Sequence, residues 1–170
     1  MILHSSKMIE VGRTAEYFTL FALAKQGFQC CLSAHQLPYD VVVDVGDMIL
    51  RGQVKSTLRS RDYGKSRSVY RFSMRCGSQA NRPREVSCTD FYAFVGVEDE
   101  LIAFIPTPEL ESSALPGMVK RMIELRSNTM QIPGRIYPNG TVREANMSKC
   151  FEQHDNFSDV VSFYRGLNNG

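Results

Sequence analysis

Apolar and polar residues first alternate with a helical period, then with the period of a strand. Over residues 8–25 there is no proline, and Val11, Ala15, Phe18 and Ala22 recur at helical spacing. Gly12, Glu16, Leu20 and Leu23 form a second stripe, so the predicted helix is covered on more than one side, with Gly27 as its C-cap. Glu16 therefore sits in apolar company, where a carboxylate needs a reason. Residues 28–33 read as a first strand. Residues 39–45 and 48–57 alternate with period two around Gly46-Asp47, a two-residue hairpin signal.

A two-residue loop fixes the register: Val45 faces Met48, Asp44 faces Ile49, Val42 faces Arg51 and Asp40 faces Gln53. Tyr39, Val41, Val43, Val45, Met48, Leu50, Gly52 and Val54 fall on one almost wholly apolar face. Asp40, Val42, Asp44, Ile49, Arg51, Gln53, Lys55 and Thr57 fall on the other. Asp40 and Gln53 are thus cross-strand neighbours with Cβ atoms about 5 Å apart, and Lys55 lies on the diagonal. A bulge near Gly52 would shift this register.

Residues 69–76 alternate Val69, Arg71, Ser73, Arg75 against Tyr70, Phe72, Met74, Cys76, a strand with one basic face. Residues 91–97 and 101–105 read as a hairpin around Glu98-Asp99-Glu100, ended by Pro106 and Pro108. A helix is predicted from residue 116 or 117 to 126, with turns and short strands past Ile132. No repeat or linker divides the chain. At about 150 residues per domain, its 170 residues make one α/β (α+β) domain. Residues 1–57 carry the helix and hairpin, 58–86 a basic segment, and 87–170 the remaining strands and helix.

Composition, 43% apolar and 22% charged, is that of an ordinary globular protein. No secretory signal or bilayer-spanning run is present, so a cytoplasmic location is expected. Five cysteines without a C-x-x-C pair favour reduced thiols over zinc or redox chemistry. The net charge of +2 argues at first against a nucleic-acid partner. Its distribution reverses that. Residues 51–85 hold ten basic residues and two acids, a net of +8, which leaves −6 elsewhere. Eight of the ten are arginine, suited to bidentate phosphate or guanine contacts. Such a segment marks a face that meets a polyanion, where a solvated basic loop is the plainer alternative.

The polar cluster suits a divalent cation. Asp40 offers a hard carboxylate oxygen, Gln53 an amide oxygen and Val54 its backbone carbonyl, as Mg²⁺ prefers. Lys55 could orient or deprotonate an attacking water, or stabilise charge on phosphorus oxygens. Glu16 could reach the metal directly or through water.

Gly12-Arg13-Thr14-Ala15-Glu16, then Pro38-Tyr39-Asp40 with Val41-Val42-Val43-Asp44, then Gly52-Gln53-Val54-Lys55-Ser56, resembles the PD-(D/E)XK nuclease superfamily. The match is to its Q-x-K branch, which includes intron-type homing endonucleases and Holliday-junction-resolvase-like proteins. It covers about the first third of the chain well. The resemblance implies a restriction-endonuclease-like mixed sheet flanked by helices and a Mg²⁺-dependent DNA endonuclease, with Mn²⁺ a substitute cation. Asp40 would be the metal-binding aspartate, Gln53 the second acidic position, Lys55 the lysine and Glu16 the helical acid. Gln53 in place of an acid removes one negative charge from the metal site, for which Glu16 or Asp44 would compensate.

The nucleic-acid contacts are then expected from Arg59, Arg61, Lys65, Arg67, Arg71, Arg75, Arg82 and Arg84, on double-stranded or branched DNA. Cutting two strands suggests a homodimer or a homotetramer. The alternative is a non-catalytic DNA- or RNA-binding module on a nuclease-like scaffold. A small structural protein binding RNA or an acidic partner is a third reading. Taken singly, Asp40 could be a turn residue, Gln53 and Lys55 a solvated edge, and Glu16 a partner of Arg13. Gly64-Lys65-Ser66 is no phosphate-binding loop, because Arg59 stands where a glycine is required. His4, His35 and His154 match no zinc spacing, and only His35 lies near Asp40 in sequence.

Overall fold

The computed structural model describes residues 3–34, 37–62, 68–75, 85–127, 135–136, 142–143 and 149–168. His35, Lys65, Arg67, Cys76, Arg82 and Arg84 lie outside them.

Helix α1 spans Leu3–Lys25. It ends in a Schellman arrangement: Gly27 adopts φ +88°, and Phe28 N–H and Gly27 N–H donate to the carbonyls of Leu23 and Ala24 at 3.1 and 2.9 Å. Strands β1 (Gln29–Leu32), β2 (Val41–Asp44) and β3 (Ile49–Thr57) follow. The hairpin register is the predicted one, Val42 opposite Arg51 and Asp44 opposite Ile49, with Gly46 at φ +90° in the turn.

Strand β6 (Phe91–Gly96) pairs parallel with β3, and β7 (Leu101–Pro106) closes the sheet antiparallel to β6. The result is the mixed five-stranded sheet expected from the sequence, β1-β2-β3-β6-β7, with both helices packed on one face. Its first face buries Val41, Val43, Leu50, Val54, Phe91, Ala93, Val95 and Phe104 against Ala15, Ala22 and Leu23 of α1. Helix α2 (Phe157–Asn168) adds Phe157, Val160 and Val161 to the same cluster.

The second face is covered over only part of its width. Strands β4 (Arg61–Asp62) and β5 (Ser68–Ser73) form a three-stranded sheet with β10 (Met122–Leu125). Tyr70, Phe72, Met74, Ile123 and Leu125 from this layer bury Tyr92, Phe94, Ala103 and Ile105 of β6 and β7. Both faces of β6 are therefore apolar, as befits a strand sandwiched between layers. On β3, Arg51, Gln53 and Lys55 remain half-exposed.

Two expectations fail. Residues 116–126 are not helical: β8 (Glu111–Ser112) and β9 (Leu115–Val119) pair, and β10 follows. Gly117 sits at φ +80°, outside helical geometry, and Ile123 and Leu125 are buried two apart, not three or four. They alternate because β10 pairs with β5 and must turn one face onto β6. Past Ile132 the expected short strands are present as β11 (Arg135–Ile136) and β12 (Val142–Arg143), but turns and strands do not continue: α2 is a helix. Asn156 caps it, its Oδ1 accepting from Ser158 N–H at 3.0 Å. Phe157, Val160, Val161 and Tyr164 mark its inward face. The four described cysteines, Cys30, Cys31, Cys88 and Cys150, are free thiols. No described helix is long and apolar enough to cross a membrane.

Candidate active site

The ladder between β2 and β3 ends with Val41 opposite Gly52. Asp40 N–H also donates to the Gly52 carbonyl, at 2.8 Å. Two residues thus face one, in the manner of a β-bulge, and the strand turns away from β3. This places Asp40 beside Gln53 through its side chain instead of through a regular pair. The Asp40 carboxylate takes the place of the missing strand: its Oδ2 accepts from Val54 N–H at 2.8 Å and from the Gln53 side-chain amide. Backbone N–H and C=O of one strand residue point to the same side, so the Val54 carbonyl also points beyond the end of β2.

The bulge has a second effect. Tyr39, predicted on the apolar face, instead places its ring under the Arg51 guanidinium, 5.9 Å from the centroid. Arg51 is committed on its other side, to Asp90. Nε donates to Oδ2 at 3.1 Å, and Arg51 N–H reaches the same oxygen at 2.7 Å. It is a structural cation, and the basic count of the segment falls by one.

Glu16 lies on the inner part of α1, half-buried. With Asp40 it lines a cleft of about 560 Å³ whose other walls include Gly12, Arg13, Ser33 and Tyr39. The helix acid and the strand acid, far apart in sequence, thus share one cavity. Arg13, exposed and one turn before Glu16, belongs to the same wall; the sequence offers it only as a partner for Glu16, from the i, i+3 spacing. Lys55 follows Gln53 on the same face of β3, and its Nζ donates to the Arg75 carbonyl at 3.1 Å. Asp44 is exposed at the far end of the hairpin and accepts from Gly46 N–H at 2.8 Å, a turn role that takes it out of the site.

The basic candidates divide. Arg59 and Arg75 are exposed. The backbone of Arg61 lies in β4. Arg71 is paired, its Nε and Nη2 donating to Glu124 Oε1 at 3.0 and 2.8 Å.

No protein-family model matches the chain, and no curated protein does. Among solved structures, it is similar to a bacterial homing endonuclease, at 22% identity over 72% of this chain and 79% of that one, with a TM-score of 0.47. It is also similar to a Holliday junction resolvase from the archaeal hyperthermophile Archaeoglobus fulgidus. There the identity is 18% over 66% of this chain and 83% of that one, with a TM-score of 0.42. A likeness of this depth concerns the path of the chain and carries no residue roles.

Proposed function

We propose that the chain is a Mg²⁺-dependent DNA endonuclease that hydrolyses phosphodiester bonds of double-stranded or branched DNA, in the manner of homing endonucleases or junction resolvases. The observation that carries this reading is the Asp40 carboxylate, fixed by the Val54 amide and Gln53 on a cleft that Glu16 shares. The cleft itself offers the carboxylates of Asp40 and Glu16, and the adjoining residues of β3 would add the Gln53 amide oxygen and the Val54 carbonyl. Among the described residues no three His, Cys, Asp or Glu cluster. Oxygen donors of this kind would suit Mg²⁺, or Mn²⁺ in its place, better than a thiolate- or imidazole-seeking cation. When bound, the cation would polarise a phosphoryl oxygen and acidify a water.

The protein supplies the rest. Asp40 and Glu16 provide the negative charge that holds the cation, and the bonds to Val54 and Gln53 keep Asp40 in one orientation. Lys55 Nζ, a cation on the same face, orients the attacking water or donates to the phosphate oxygens as their charge grows. Arg59 and Arg75 meet the duplex backbone, joined by Arg61, Lys65, Arg67, Arg82 and Arg84 of the basic segment. A homodimer or homotetramer presents the two sites that cutting both strands needs.

One observation favours the second reading, a non-catalytic DNA- or RNA-binding module. Gln53 turns its amide nitrogen, not its oxygen, to Asp40 and so serves the carboxylate without a cation. The test is incubation with plasmid or branched DNA and a panel of divalent cations. Nicking that Lys55→Ala abolishes supports the nuclease. No nicking of any DNA, or a Lys55→Ala variant that cuts as well as the wild type, sinks it. Calorimetric Mg²⁺ or Mn²⁺ binding that Asp40→Asn removes counts against the module.

A further inference from the structure

We infer that Arg75 grips a backbone phosphate beside the scissile bond, while Arg71, two alternations earlier, makes no contact with nucleic acid. This rests on the DNA-cleaving reading above and sharpens it. Arg71, Ser73 and Arg75 alternate with the buried Phe72 and Met74, so sequence alone treats the two arginines alike. The tertiary structure separates them. Arg71 faces Glu124 in the β5–β10 register, and its Nε and Nη2 both donate to Glu124 Oε1. A phosphate approaching Arg71 would meet the charge of Glu124 as well, and the attraction would largely cancel.

Arg75 is placed differently. Its guanidinium is exposed and has no acidic partner among the described residues. Its backbone is held at two points. Met74, 2% exposed, donates its N–H to the Arg121 carbonyl at 3.1 Å, and the Arg75 carbonyl accepts from Lys55 Nζ at 3.1 Å. The Arg75 backbone therefore lies against the site's own lysine, which puts the guanidinium within one side chain's reach of it. Its planar fork suits two oxygens of one phosphate, which a lysine cannot span. Removing the side chain leaves the backbone carbonyl that holds Lys55, so Arg75→Ala separates phosphate binding from the positioning of Lys55.

The experiment measures binding of a labelled DNA duplex against salt concentration, without divalent cation, and single-turnover cleavage with Mg²⁺. The proteins are the wild type, Arg75→Ala, Arg71→Met and Arg71→Gln. Each phosphate contact contributes about 0.9 to the slope of log affinity against log salt. Arg75→Ala should lower that slope by about 0.9, and cleavage should fall about 10- to 100-fold for the loss of a charged hydrogen bond. Both Arg71 variants should keep the wild-type slope. An unchanged slope in Arg75→Ala, or an equal loss in the Arg71 variants, overturns the inference. The two levels fail separately. A wild type that shows these slope differences but never cuts refutes the nuclease and leaves the phosphate grip standing. A wild type that cuts, with Arg75→Ala matching it in slope and rate, does the reverse.

Discussion

Gly52 lies on β3 at a position where any side chain would collide with the core. Its register partner on β6 is Phe91, whose ring lies over the glycine. A Cβ at position 52 would stand 2.2 Å from Phe91 Cζ and 2.6 and 2.7 Å from Cε2 and Cε1. Carbon atoms in contact rest about 3.5–4.0 Å apart, so the ring must retreat by more than an ångström. It has nowhere to go: Phe91 is fully buried, with Phe157 and Phe104 at centroid distances of 4.9 and 6.3 Å.

Overpacking of this kind costs about 1–3 kcal/mol. Replacing glycine also stiffens the unfolded chain, which offsets about 0.4–1 kcal/mol. Gly52→Ala should therefore lose about 1–2 kcal/mol, read as a lower urea midpoint and a melting temperature lower by about 2–8 °C for a chain of this size. Phe91→Leu removes the ring edge, so the double variant should recover about 1–2 kcal/mol of the loss in a double-mutant cycle. The Gly52 carbonyl also accepts from Asp40 N–H, so the single variant should disturb the site as well. A Gly52→Ala protein within about 0.5 kcal/mol of wild type, with no coupling to Phe91→Leu, would refute the reasoning.

Phe157→Ala should cost about 3–5 kcal/mol in a denaturant titration, because its ring is fully buried against Phe28, Phe91 and Phe104 at 5.0, 4.9 and 5.3 Å. Asp90→Ala should cost about 1–3 kcal/mol, measured the same way, since it orphans the Arg51 N–H and unpairs its guanidinium. Burial holds the His154 imidazole below its usual pKa. The unfolded chain then binds more protons between that lowered value and 6.5. Stability should fall as pH drops through this window and recover above it, and His154→Gln should flatten that limb of a melting-temperature profile.

The hairpin carrying Asp40 and Gln53 was readable because its determinants are local. A Gly-Asp turn of two residues and strict alternation leave one register in which valines face inward. The helix bearing Glu16 was readable for the same reason, from its spacing and the glycine after it. The strands at 115–125 were misread because Ile123 and Leu125 answer to β5, a segment some fifty residues earlier in the chain. Helix α2 was missed although Asn156 and the spacing of Phe157, Val160, Val161 and Tyr164 announce it.

The sequence by itself determined which residues could share a face: an acid, an amide and a lysine on one side of a hairpin, with valines on the other. Only the tertiary structure decided what they do there. The bulge before Val41 turned the Asp40 carboxylate onto Val54, packing of α1 on the sheet brought Glu16 to the same cleft, and Asp90 and Glu124 claimed Arg51 and Arg71. Periodicity fixes the direction of a side chain from its neighbours. Partners supplied by distant segments fix its charge balance and its reach, and those depend on how the layers close.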